Sequence, residues 1–178
     1  MNFPPGDTYT SNIDVIGYDD VDGRPAFKLA LHKSGDRWFL YTGQFWCSGF
    51  SIIEVTDPAN RFVRYIEGPH KTWTLQVQVA DNMLVTSQEK IMDGWGHIDG
   101  QPWGEGFLLW DLTDPENPEL LSHWKTGGYG THRNYYDGGR YVYATGLPEG
   151  YEGNILQIVD IDDPRNPVEV GRWWMEGQ

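Results

Sequence analysis

The sequence predicts an all-β chain in which one four-stranded unit occurs three times. Three observations carry this: an aromatic-, Gly- and Pro-rich composition, a segment repeated three times in register, and a hairpin ahead of every copy. The chain has 178 residues, with 22 Gly, 11 Pro, 9 Trp, 10 Tyr and 7 Phe. Aromatics reach 15% while hydrophobics as a whole are only 39%. Aromatic side chains suit pleated, half-buried strands, whereas Gly and Pro interrupt helices. The length suits one domain with a real core.

The repeated segment is Gly49-Phe-Ser-Ile-Ile-Glu-Val-Thr-Asp-Pro58, then Gly106-Phe-Leu-Leu-Trp-Asp-Leu-Thr-Asp-Pro115, then Ile155-Leu-Gln-Ile-Val-Asp-Ile-Asp-Asp-Pro164. Each is an apolar strand stopped by Asp-Pro, because Asp favours the first turn position and Pro presets the next φ. Taken in order, residues 1–23 are an N-terminal arm in which 12–19 resembles a lone outer strand. Unit 1 (24–67) has a hairpin of 28–31 and 38–41 around Ser34-Gly-Asp36, the repeated strand, and an outer strand at 62–66. Unit 2 (68–125) has 74–79 and 83–86 around Ala80-Asp-Asn82, the repeated strand, and 119–124. Unit 3 (126–178) has 133–136 and 141–144 around Asp137-Gly-Gly139, the repeated strand, and 168–174. Within each unit the strands are A to D.

Four short antiparallel strands recurring every roughly 40–50 residues are the signature of a β-propeller blade. The spacing from each Asp-Pro to the next A–B turn is nearly constant, and length variation collects in the B–C connection, as in a fixed scaffold carrying functional loops. A β-sandwich is the alternative architecture. Three blades do not close a ring, since known propellers use about 4 to 8. The expectation is therefore a partial propeller whose ring is completed by a second chain, either another copy of itself or a complementary half-propeller.

The segments Ile-Ile-Glu-Val-Thr-Asp-Pro, Leu-Trp-Asp-Leu-Thr-Asp-Pro and Ile-Val-Asp-Ile-Asp-Asp-Pro-Arg-Asn-Pro resemble the repeat of the LVIVD-repeat β-propeller family. The resemblance covers almost the whole chain and implies a propeller, with little chemistry attached. The members of that family that this chain most resembles are longer, and it resembles their N-terminal part.

With 13 Lys+Arg against 26 Asp+Glu the net charge is −13, which disfavours nucleic acid and anionic membrane surfaces as partners. The start of the chain shows no basic stretch followed by an apolar run, so a cytoplasmic location is expected. A single cysteine, Cys47, excludes an internal disulfide framework and reads as a small apolar group. His32 and His123 read as packing or surface residues.

In a propeller the D–A and B–C loops share one face around the channel mouth. That face is expected to gather His70, His97 and His132 with Glu89 and several indoles, a mixture suited to a small-molecule pocket. The segment Gly130-Thr-His-Arg-Asn134 is the most suggestive, because it sets a titratable imidazole beside a fixed cation and an amide. The candidate catalytic residues are His132, Arg133, His70 and Glu89. The candidate substrate contacts are Trp46, Trp73, Gln76, Trp95, Asn134 and Tyr151. His70, His97 and His132 are candidate ligands for a divalent metal ion, although no short His-x-x-x-His spacing supports them. The long loop 87–105 reads as a lid or binding element. Two functions follow from this face: acid/base or metal-assisted hydrolysis or elimination, or non-catalytic binding by the same aromatic surface.

Overall fold

A computed structural model describes residues 10–57, 61–96 and 99–178. Among them every regular element is a strand, and no helix is long and apolar enough to cross a membrane. Unit 1 is the meander β1 (Ala26–Ser34), β2 (Arg37–Gln44), β3 (Gly49–Glu54) and β4 (Arg61–Glu67), paired in that order. Unit 2 holds the two-residue β5 (Thr72–Trp73), then β6 (Val77–Ala80), β7 (Met83–Lys90), β8 (Gly106–Asp111) and β9 (Glu119–Trp124). Unit 3 is β10 (Gly128–Tyr135), β11 (Tyr141–Pro148), β12 (Ile155–Asp160) and β13 (Val168–Trp173), and every neighbouring pair within the units is antiparallel.

The turns follow their residues. Asp81 and Asn82 both take positive φ (50° and 57°) between the paired Ala80 and Met83, the geometry that matches the twist of a two-residue hairpin. In the second Asp-Pro turn, Asp114 accepts from the Glu116 N–H (3.1 Å) and from Asn117 Nδ2 (3.0 Å). Asp163 repeats this with Arg165 N–H (3.0 Å) and Asn166 Nδ2 (2.7 Å). These hydrogen bonds, the side-chain amide foremost, hold both carboxyls below the usual aspartate range.

Two apolar clusters join the units. One packs Tyr41, Phe50 and Ile52 of unit 1 on Val77, Leu84 and Trp110 of unit 2. The other packs Val85, Phe107 and Leu109 of unit 2 on Tyr136, Val142 and Val159 of unit 3. Each such side chain contributes about 1.5–3 kcal/mol by burial, so these clusters outweigh the exposed ion pairs at the same seams, among them Arg61–Glu116 (2.8 Å) and Arg165–Glu119 (2.7 Å). Hydroxyls add register: Tyr41 Oη donates to the Pro115 carbonyl (2.9 Å), and Ser122 Oγ to that of Pro164 (2.6 Å).

Residues 12–19 pair with no described strand, and Ile13 and Ile16 stay exposed; the lone outer strand expected there is one that takes its ladder from strands outside this chain. One expectation is corrected. The A strand expected at 74–79 is split, because Thr74 leaves its own unit to bridge Gln44 of β2 while Gln76 N–H bonds Ser87 Oγ (2.9 Å).

Units 2 and 3 are also joined through backbone. The β7–β8 ladder ends at the Gln88–Gly106 pair, and the next residue, Glu89, pairs instead with Gly130 of β10. Gly130 has φ +95°, and a Cβ there would overlap the Gln88 carbonyl oxygen. Gly130→Ala is therefore expected to cost more than about 1 kcal/mol. Gly150→Ala, which shares the positive φ (+90°) but has open space around it, should cost less. Urea midpoints of the two variants check this, and equal losses would contradict the close approach at Gly130.

Candidate functional site

The takeover of the β7 edge by β10 brings two titratable groups together. Glu89 lies one residue beyond the β8 ladder, and His132 lies two residues beyond Gly130 on β10. His132 Nδ1 sits 3.0 Å from Glu89 Oε1 and 2.9 Å from Oε2. The Glu89 side chain is 13% exposed and that of His132 is 41% exposed, so the carboxylate backs the imidazole and the imidazole meets solvent. Burial pushes the Glu89 carboxyl above its ordinary value, and the bond to His132 opposes part of that rise. An ionised carboxylate only accepts, so it selects the Nδ1–H tautomer and leaves His132 Nε2 with an open lone pair.

Both residues line a cleft of about 650 Å³ at the junction of units 2 and 3, within the size range of small-molecule sites. Trp73, Tyr129 and Leu147 form its apolar walls, and Asp93 and Glu152 also line it. Lys90 is buried in the wall, its Nζ 4.7 Å from the Tyr129 ring centroid, 4.9 Å from that of Trp103 and 3.9 Å from Asp93 Oδ1. Facing aromatic rings hold a cation there without cancelling its charge. A second cavity of about 380 Å³ adjoins the cleft through Tyr129 and Leu147 and includes Tyr151 and Trp103. Glu105 secures the entry to β10 by accepting from the N–H groups of Gly127 and Gly128, both at 2.7 Å.

Of the residues picked from sequence, Glu89, His132 and Trp73 share the cleft. Trp46 and Trp95 stack on each other (5.8 Å, 15°), and both meet Phe45 edge-on, which in turn stacks on Trp73. Tyr151 lies in the adjoining cavity against Trp174. His70 is placed elsewhere, in a third cavity with Cys47 and Tyr65 between units 1 and 2. Arg133 is exposed, and neither it nor Gln76 nor Asn134 lines the cleft. Asn134 is buried and its carbonyl accepts from Gln78 Nε2 (2.6 Å). His97 lies outside the described residues. With His70 apart and Nδ1 of His132 committed to Glu89, no group of three His, Cys, Asp or Glu able to hold a metal forms among the described residues. Lys90 and Tyr129 were missed from sequence. The available signal was the polar run Thr86-Ser-Gln-Glu-Lys90 in an inner strand, whose Thr86, Ser87, Gln88 and Lys90 are all buried.

No protein-family model matches the chain, and no curated protein matches it. Among solved structures the chain is similar to a thermostable family-43 glycoside hydrolase, with 12% identity and a TM-score of 0.47 over 85% of this chain. The similarity spans 54% of that chain, about half its length.

The raised Glu89 carboxyl predicts an unusual stability profile. A carboxyl raised by folding favours the native state fully below its unfolded value, near 4.5, and loses that contribution as pH rises through the native value. Glu89→Gln is thus expected to leave the thermal midpoint at pH 7 unchanged or higher. Relative to the parent, that standing should fall as the pH is lowered to 4. A large loss at pH 7 would show that the carboxylate is there to stabilise the fold.

Proposed function

We propose that the chain is an enzyme of the acid/base hydrolase or lyase type, acting on a small molecule in the cleft between units 2 and 3. The observation that carries this is the Glu89–His132 pair: a buried carboxylate on Nδ1 of a half-exposed imidazole that lines a cleft with a fixed ammonium in its wall. In hydrolysis, His132 Nε2 takes the proton of a water whose oxygen attacks the substrate's electrophilic carbon. Glu89 holds Nδ1–H and stabilises the resulting imidazolium, as the carboxylate does in a catalytic triad. The bond to the leaving group then breaks, and Nε2–H returns its proton to that group. Lys90 is the cation available to negative charge growing on the substrate oxygen. Three carboxyl side chains in the lining against one ammonium favour a neutral substrate over an anion.

The three units are read as consecutive blades of a β-propeller of LVIVD-repeat type, whose ring further units complete. The order of packing supports this, since unit 2 sits on unit 1 as unit 3 sits on unit 2. The stacked, exposed Trp46–Trp95 pair favours a second reading, in which the same face binds a ligand without turning it over.

A panel of 4-nitrophenyl esters, phosphates and glycosides, with simple lactones, assayed from pH 5 to 9 separates the two. The enzyme reading expects turnover of at least one member, and a loss of about 10²- to 10⁴-fold in kcat/KM for His132→Ala with an unchanged circular dichroism spectrum. No turnover across the panel would leave the binding reading in place, and turnover that survives His132→Ala would remove His132 from the chemistry.

A further inference from the structure

The two ends of the chain expose opposite faces of the same repeated unit. Strand pairing aligns the units residue by residue: Phe39 pairs with Glu54, Met83 with Asp111 and Tyr141 with Asp160. In that register Tyr41, Val85 and Tyr143 occupy one position, opposite Ile52, Leu109 and Ile158. Leu29 and Val77 occupy another, opposite Thr42 and Thr86. Inside the chain, the face bearing Tyr41 packs on the face bearing Val77, and the face bearing Val85 packs on unit 3 in the same sense.

At the ends this pattern stops. Tyr41 and Val85 are 0% exposed, yet Tyr143 is 38% exposed, with Tyr135 and Tyr141 open beside it. Val77 is 0% exposed, yet Leu29 and Leu31 on β1 are 53% and 52% exposed. Unit 3 therefore leaves bare the face that units 1 and 2 bury forwards, and unit 1 leaves bare the β1 part of the face that unit 2 buries backwards, while Thr42, Ser51 and Ile53 farther across that face are buried. Tyr143 also brings to the open face the hydroxyl that, at Tyr41, ties unit 1 to the Asp-Pro turn of unit 2.

We propose that these faces are mates across two copies of this chain. Unit 3 of one copy docks on unit 1 of the other, and the same contact made twice closes a ring of six units. The proposal rests on the propeller reading above and continues the two junctions already built into the chain. Six units fall inside the range of about 4–8 blades in known propellers. A head-to-tail contact closes when its rotation returns to the start, which here takes two copies. Each copy carries −13, so long-range repulsion opposes the contact and added salt strengthens it.

Light scattering of the full chain at micromolar concentration, at low and raised salt, tests this. The expected mass is twice the 20.4 kDa chain, with the two-chain fraction rising with salt. Tyr143→Lys alone and Leu29→Asp alone should each shift the mass to one chain with unchanged circular dichroism, since both side chains are exposed. Mixing the two variants should restore a two-chain species, because one junction is then native and the other pairs opposite charges. A single-chain wild type, a ladder of open oligomers, solubility only with another polypeptide, or sensitivity at one face alone overturns the second-copy arrangement. A monomer that keeps His132-dependent turnover would overturn this inference and leave the site standing. A two-copy ring whose turnover ignores His132→Ala would do the reverse.

Discussion

The arrangement hangs on one backbone constraint, the point where β7 runs past the end of β8 and is caught by β10. The overrun carries Glu89 and Lys90 past the β8 ladder, and Glu89 is held there between Gly130 of β10 and Trp73 of β5. Gly130 can receive it because it lacks a Cβ that would strike the Gln88 carbonyl. Everything in the cleft follows from that handover. The carboxylate is carried below the imidazole, His132 comes up two residues beyond Gly130, and Lys90 follows Glu89 into the wall between two aromatic rings.

A site assembled at a seam needs a seam that does not slide. The apolar clusters supply most of the energy, and the hydroxyl-to-carbonyl bonds from Tyr41 and Ser122 supply register. The interior near the seam is more polar than a sheet core usually is: Gln44, Gln88 and Gln157 are wholly buried, and each leaves its side-chain oxygen without a hydrogen-bond partner. Buried amides with open acceptors are costly, and ordered water is the usual means of satisfying them.

Sequence alone made the repeated parts legible, because local chemistry decides them. Asp-Pro turns, apolar runs and hairpin residues report on their own few neighbours, and the strands lie close to where those signals place them. What local chemistry does not decide is long-range. Residues 12–19 carry a strand-like pattern, yet a strand exists only where another offers it a ladder. His70 and His132 occupy similar stretches of successive units, and a symmetric picture draws them together, whereas the structure puts them at successive seams. Arg133 looked functional beside His132, but it is exposed and lies outside the cleft. The polar run ending at Lys90 was the one local hint of its role, since its setting depends on Trp103 and Tyr129, which come from other parts of the chain.

The most direct test of the account is the protonation pattern of the His132 ring, read from its two ring-nitrogen chemical shifts by NMR on the isotopically labelled chain. The account predicts that the neutral ring carries its proton on Nδ1 and leaves Nε2 bare, reverting toward the ordinary Nε2–H tautomer in Glu89→Gln. A neutral ring protonated on Nε2 in the parent chain, or a tautomer indifferent to Glu89, would mean that the carboxylate does not set the imidazole, and the acid/base reading would fall with it.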